Sequence, residues 1–233
     1  MFLRKIMRIF LLLLIFIFIL VSCAYTQDDW TDFINYDDIQ YVRNYENEER
    51  GVPLTPDDID KEYFEIKRKL AGGMNNVGYV SKSGDAAYLD EGTQIYTVKG
   101  YNPDFRVAAF HDGDIILYEA YTNKWAQKGS ELLDIEDKVE SISIIENRED
   151  DYKELAEIED EATVEKLVDM ILEAPIDHDE GVGKEQYYLL IFHLKDGTVS
   201  SRYYDISGGI LATGIKLPDK FREIIEQACE KQK

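Results

Sequence analysis

Two segments of the chain, "FRVAAFHDGDIILYEAY" and "YYLLIFHLKDGTVSSRYYD", each set an Asp-Gly dipeptide between runs of β-branched and aromatic residues. A two-residue Asp-Gly turn has the backbone twist of paired strands, so both segments predict antiparallel hairpins. In the first, a turn at Asp112-Gly113 sets Phe110 opposite Ile115 and Arg106 opposite Glu119, an apolar pair and a charge pair. In the second, the same turn at Asp196-Gly197 sets His193 opposite Ser200, on one face with Arg202 and Tyr204. Leu190, Phe192 and Leu194 alternate with Leu189, Ile191 and His193, which predicts a central strand covered on both faces.

Helices are predicted around these strands. Thr55-Pro56-Asp57-Asp58 offers a capping threonine, an early proline and first-turn carboxylates, and Ile59, Tyr63, Ile66 and Leu70 follow at helical spacing, so a helix is expected over 56–71. A second is expected over 162–173, with Val164, Leu167, Val168, Ile171 and Leu172 on one side and Pro175 ending it. A third starts at Pro218, with Phe221, Ile224, Ile225, Ala228 and Cys229 facing inward. "QIYTVKGY" and "KVESISIIE" add strands. The class is α+β, antiparallel sheet built from hairpins with helices packed on it.

The amino terminus concerns location. Arg4, Lys5 and Arg8 precede thirteen consecutive apolar residues, Ile9 to Val21, the layout of an export signal. A spanning helix needs about 20 apolar residues. Leu20-Val21-Ser22-Cys23 resembles the lipobox of bacterial lipoprotein precursors. That resemblance implies cleavage before Cys23, a diacylglycerol group on its thiol, and anchorage to the outer face of the cell membrane; an uncleaved anchor and plain secretion are the alternatives. Two or three acyl chains anchor durably, at about 0.8 kcal/mol per buried CH₂. From Val139 to Ala228, the order strand, helix, hairpin, Gly-rich turn and "LPDKF" helix is similar to carboxy-terminal modules of uncharacterised bacterial lipoproteins, a resemblance that brings no catalytic residue. The expected organisation is a signal peptide over 1–22, a lipidated acidic tether over 23–54, and α+β subdomains over 55–148 and 149–233 that form one domain or two. Within the tether, Trp30, Phe33 and Ile34, then Tyr41, Val42 and Tyr45, recur at helical spacing, as in an amphipathic helix docked on the domain or on a partner.

Charge narrows the partners. The full chain carries 26 basic and 47 acidic residues, and removal of residues 1–22 leaves a net charge of −24. Such a surface excludes nucleic acid, which requires a basic face, and is repelled by anionic headgroups. With Cys23 lipidated, Cys229 has no partner within the chain for a disulfide.

No reaction motif is present. His111, His178 and His193 are too scattered for a metal pattern. His193 and Ser200 hint at a base and nucleophile but lack the Gly-x-Ser-x-Gly elbow. Asp177, Asp179 and Glu180 lie in "DHDEGVGKE", an oxygen-rich loop of the kind that suits Ca²⁺, although Val182 and Tyr188 stand where a calcium loop has Gly and Glu. Tyr187, Tyr188, Tyr203 and Tyr204 cluster on the second hairpin and form a candidate contact surface, tyrosine being enriched in recognition surfaces and also a good strand residue. The expected role is a non-catalytic binding or adapter module of the cell envelope, with membrane contact through lipid, an envelope protein as partner and no cofactor. A Ca²⁺ or small-ligand binder is one alternative, and a hydrolase using His193 and Ser200 is the other.

Overall fold

Antiparallel pairing organises most of the residues that the computed structural model describes, 31–72, 79–148, 151–179 and 187–231. The larger sheet takes β1 (Phe33–Tyr36), β2 (Ile39–Arg43), β3 (Ile59–Glu65), β4 (Arg68–Lys69), β5 (Asp85–Ala86), β6 (Gln94–Val98), β7 (Arg106–His111) and β8 (Asp114–Asn123). Its spatial order is β3-β6-β7-β8-β2-β1-β5-β4, and within it only β4 and β5 run parallel. The smaller sheet, ordered β10-β9-β11-β12-β13-β14, takes β9 (Val139–Arg148), β10 (Asp151–Ile158), β11 (Tyr187–Leu194), β12 (Val199–Asp205), β13 (Ile210–Leu211) and β14 (Ile215–Lys216). Three α-helices complete the described residues: α1 (Tyr45–Arg50), α2 (Glu161–Glu173) and α3 (Asp219–Lys231). Residues Thr31–Lys233 group as one compact unit, and the largest apolar cluster joins Val107 and Tyr118 of the larger sheet to Ile144, Leu190 and Phe192 of the smaller, with Leu167 of α2 and Phe221 of α3. This is the α+β class.

The first hairpin has the expected register: Arg106 faces Glu119 and Phe110 faces Ile115. Asp112 and Gly113 both take positive φ, 52° and 96°, the primed turn that matches strand twist. Helix α2 buries the five apolar residues read from its spacing, each stabilising by about 1.5–3 kcal/mol. Asp160 caps it by accepting from Thr163 N–H, and Phe221 and Ile225 anchor α3.

Three expectations are overturned. Residues 33–50, read as tether, are built into the domain: β1 and β2 form a hairpin pairing Ile34 with Tyr41, and β2 pairs with β8. Asp37 and Asp38 occupy its turn with φ of 49° and 63°, a left-handed conformation that aspartate tolerates. The helix expected over 56–71 is one 3-10 turn, Pro56–Asp58, followed by strand β3. Its capping box is real, since the Asp58 carboxylate accepts from both Thr55 N–H and Thr55 Oγ1 at 2.7 Å. Register shifts between Ile59 and Glu62 and between Glu62 and Phe64 break the two-residue alternation, so a bulged edge strand acquired an apolar spacing that mimics a helix. The acidic stretch after Glu146 contains β10, an edge strand that buries Ala156 and Ile158 and exposes Lys153 and Glu154; charge protects such an edge from further pairing.

The third correction concerns the second hairpin. Leu194 N–H donates to Thr198 O, and Gly197 N–H donates back to Leu194 O, so the loop has three residues with Gly197 at φ 84°. That is the turn-plus-bulge alternative to a two-residue connection. The register slips by one, and His193 faces Val199 while Phe192 faces Ser200.

Helix α1 is joined to β12 by side chains acting as a strand. Asn44 Nδ2 donates to Val199 O at 2.7 Å and Asn47 Oδ1 accepts Val199 N–H at 2.9 Å. Asn47→Leu would leave a buried N–H without its acceptor, and a stability loss of about 1–3 kcal/mol is expected in urea titration.

Candidate functional site

Where β2, β8 and β12 converge, a buried cluster of charge lies behind an open cavity. Arg106, on β7, is wholly buried, and Glu119, its cross-strand partner on β8, is 4% exposed. Arg106 Nε donates to Glu119 Oε1 at 2.7 Å, and its NH1 and NH2 reach Thr198 Oγ1 and Val199 O across the gap between sheets. From β12, Ser200 Oγ donates to Glu119 Oε2 at 2.7 Å and Arg202 NH1 donates to the same oxygen at 3.0 Å. One carboxylate thus serves two guanidinium groups. Burial opposes ionisation of Glu119, but Arg106, Arg202 and the Ser200 hydroxyl outweigh it and hold the carboxyl below its ordinary range.

Arg202 also forms part of the wall of a cavity of about 240 Å³. Its NH2 donates to Ala120 O at 3.1 Å, whereas its Nε–H, buried, finds no hydrogen-bond partner among the described residues. Tyr45, Tyr121 and Tyr203 line the same cavity and are 49%, 42% and 38% exposed. Val42, Leu189 and Ala212 supply apolar wall. Burial, followed by the neighbouring Tyr152 and Tyr187, pushes the Tyr203 hydroxyl up to about 12, so it remains a neutral hydrogen-bonding group. A second cation at the wall, Arg43, is taken up elsewhere: Glu48 accepts from its Nε and NH2 at 2.7 and 3.0 Å, and Asp32 lies 3.4 Å from NH1. The arrangement offers apolar and phenolic surface around a small open cavity, the composition of a small-ligand site.

The residues singled out from sequence are dispersed. His193 and Ser200 are offset neighbours on opposite faces of the β11–β12 ladder; Ser200 belongs to Glu119, and His193 Nε2 lies 2.9 Å from Ser143 Oγ. They form no dyad. Ser143, 4% exposed, is closed to a substrate. The four tyrosines divide between two faces: Tyr188 pairs with Tyr204, which is fully buried and so presents no contact surface, while Tyr187 and Tyr203 meet edge to face at 5.2 Å on the other side. Asp177 accepts a salt bridge from Lys216 at 3.0 Å and receives Asp179 N–H. Glu180 lies outside the described residues, and among those described no three His, Cys, Asp or Glu side chains group as a metal site. Leu20, Val21, Ser22 and Cys23 also fall outside them. Cys229 packs partly buried against the core.

Sequence reasoning found the Arg106–Glu119 pair but not its junction with Ser200 and Arg202, because the slip in the second hairpin had assigned those residues to His193. Tyr45 was placed in an amphipathic helix docked on the domain or on a partner rather than at a cavity, and Tyr121, at the end of the first hairpin, carried no signal of its own.

No protein-family model matches the chain, and comparison with curated proteins and with solved structures gives no match. No helix among the described residues is long and apolar enough to cross a membrane. The class defined by fold and site is a two-sheet α+β domain with a tyrosine-rimmed cavity over a buried Arg–Glu–Arg cluster.

Proposed function

We propose that the chain is an exported, lipid-anchored binding protein, held to the outer face of the cell membrane through Cys23, whose domain takes a small ligand in the tyrosine-rimmed cavity and performs no chemistry on it. The observation that carries the ligand reading is the open cavity of about 240 Å³ itself, rimmed by Tyr45, Tyr121 and Tyr203 and walled by Val42, Leu189 and Ala212, because an aromatic and apolar concavity with few polar groups is the usual form of a small-ligand site. The basic start, apolar run and Leu20-Val21-Ser22-Cys23 support the anchor. With β1 starting at Phe33, the spacer after Cys23 is much shorter than the sequence alone implied. Binding without catalysis is favoured because Ser200 and Glu119 are engaged in the ion cluster and His193 is separated from both.

Growth with radiolabelled palmitate tests the anchor. The intact chain should incorporate label and sediment with membranes, whereas Cys23→Ser should lose both; retention of membrane association by an unlabelled Cys23→Ser chain would support an uncleaved anchor instead.

A second reading, an adapter for an envelope protein, is favoured by the exposed rings of Tyr152 and Tyr203, the latter meeting the half-buried Tyr187 edge to face. Changing Tyr152 and Tyr187 to serine should then abolish capture of one envelope protein in cellular crosslinking without altering stability.

A further inference from the structure

We infer that the cavity selects an uncharged, flat and largely apolar ligand of one or two rings, and that Tyr121 is the ring that grips it; the inference rests on the ligand-binding reading above. Charge is the first argument. Among the described residues, four charged side chains line the cavity, Arg43, Glu46, Glu119 and Arg202, and each is matched within the chain. Glu48 accepts from Arg43 Nε at 2.7 Å, Arg50 Nε meets Glu46 at 2.9 Å, and Glu119 receives Arg202 NH1 at 3.0 Å with Arg106 on its other oxygen. A charged ligand would lose hydration there without gaining a counter-charge. An anion also meets the field of a chain whose net charge is −21, and a cation meets two guanidinium groups in the wall. Asn44 is engaged likewise, its Nδ2 donating to Val199 O and its Oδ1 accepting Asn47 N–H. That leaves Ser201 and the phenols as hydrogen-bonding side chains of the wall, too few for the many hydroxyls of a sugar.

Ring placement is the second argument. The ladder between β2 and β8 passes from Gln40 opposite Thr122 to Tyr41 opposite Ala120, so Tyr121 is an extra residue of β8 with no partner on β2. A bulge of this kind re-aims a side chain, and such bulges concentrate beside functional sites. Here it follows the fully buried Ala120 with a tyrosine 42% exposed at the cavity. The other two rings are braced before any ligand arrives. The Arg43 guanidinium lies 4.9 Å from the centre of the Tyr45 ring, and Tyr187 meets Tyr203 edge to face at 5.2 Å. Rings already fixed in place cost a ligand little ordering, and aromatic partners add attraction in offset or edge-to-face contact. Size sets the limit: a sealed apolar cavity of about 150 Å³ takes benzene, so this open one of about 240 Å³ suits a substituted ring or a fused pair.

The test uses the ¹⁵N-labelled full chain in a nonionic detergent and four probes: uncharged tryptophol, anionic indole-3-acetate, cationic tryptamine and glucose. Calorimetry gives the affinities, corrected for each probe's partition into micelles, and amide NMR gives the place. Tryptophol should bind at least about tenfold more tightly than either charged indole, because only the charged ones leave an ion desolvated and unmatched. Its shifts should fall on Tyr45, Tyr121, Ser201 and Tyr203. Tyr121→Ala, which removes an exposed ring and touches none of the buried ion pairs, should weaken tryptophol severalfold with the rest of the spectrum unchanged, and Tyr121→Phe should keep the native affinity. A charged indole or glucose binding at these residues as tightly as tryptophol would overturn the ligand class and leave the cavity reading intact. Undiminished binding of tryptophol by Tyr121→Ala would overturn the role of the bulge alone. Failure of all four probes to shift any of these residues would contradict both the ligand class and the cavity reading.

Discussion

Glu119→Gln is expected to lower the stability of the folded chain by about 3–5 kcal/mol at neutral pH, the cost of breaking a buried ion pair from one side. Glutamine keeps the shape but removes the charge that two buried guanidinium groups share. Arg106, wholly buried, then has no anion in direct contact, and its remaining partners, Thr198 Oγ1 and Val199 O, are neutral. The effect carries a pH signature with a definite sign. Because the native carboxyl titrates below its ordinary value, the ionised form stabilises the fold above the unfolded pKa, and this contribution fades as pH falls through the lowered native value. The difference between the native chain and Glu119→Gln, measured by urea titration from pH 7 downward, should therefore be largest near neutrality and shrink below about pH 4. A constant difference across that range would mean that Glu119 acts through packing alone.

Gly129→Ala is expected to cost about 3 kcal/mol, the upper end of the usual range for overpacking. Gly129 opens a 3-10 turn, Gly129–Glu131, and donates its N–H to Ala174 O at 2.9 Å, just past the end of α2. A Cβ there would lie 1.9 Å from the backbone oxygen of Ile171. Since the obstacle is main chain inside a helix, no rotamer change relieves it, and either α2 or the turn must move. Thermal unfolding should show the loss; an unchanged midpoint would contradict the close approach of turn and helix.

Much of the architecture was legible where a local rule and the tertiary contacts agreed. The Asp112-Gly113 turn fixed its own register and with it the Arg106–Glu119 pair, and the spacing of α2 named all five of its buried residues. The failures have a common cause. Residues 33–45 and 59–70 contain bulges or an unusual Asp-Asp turn, and each extra residue shifts a two-residue alternation toward a spacing that imitates a helix. The Asp196-Gly197 loop takes three residues rather than two, and one residue of slip transfers every side chain to a new partner. That slip hid the candidate site, because its arginine, its serine and its tyrosine rim come from β2, α1, β8 and β12, which meet only through long-range pairing.

The central claim is that this cavity is where the protein binds its ligand, and amide NMR of the ¹⁵N-labelled full chain in detergent, titrated with a panel of small amphipathic compounds, tests it most directly. The account predicts saturable shifts that cluster on Tyr45, Tyr121, Ser201 to Tyr203 and Ala212. Saturable shifts centred instead on the Tyr152 and Tyr187 face, or no saturable shift from any member of the panel, would contradict it.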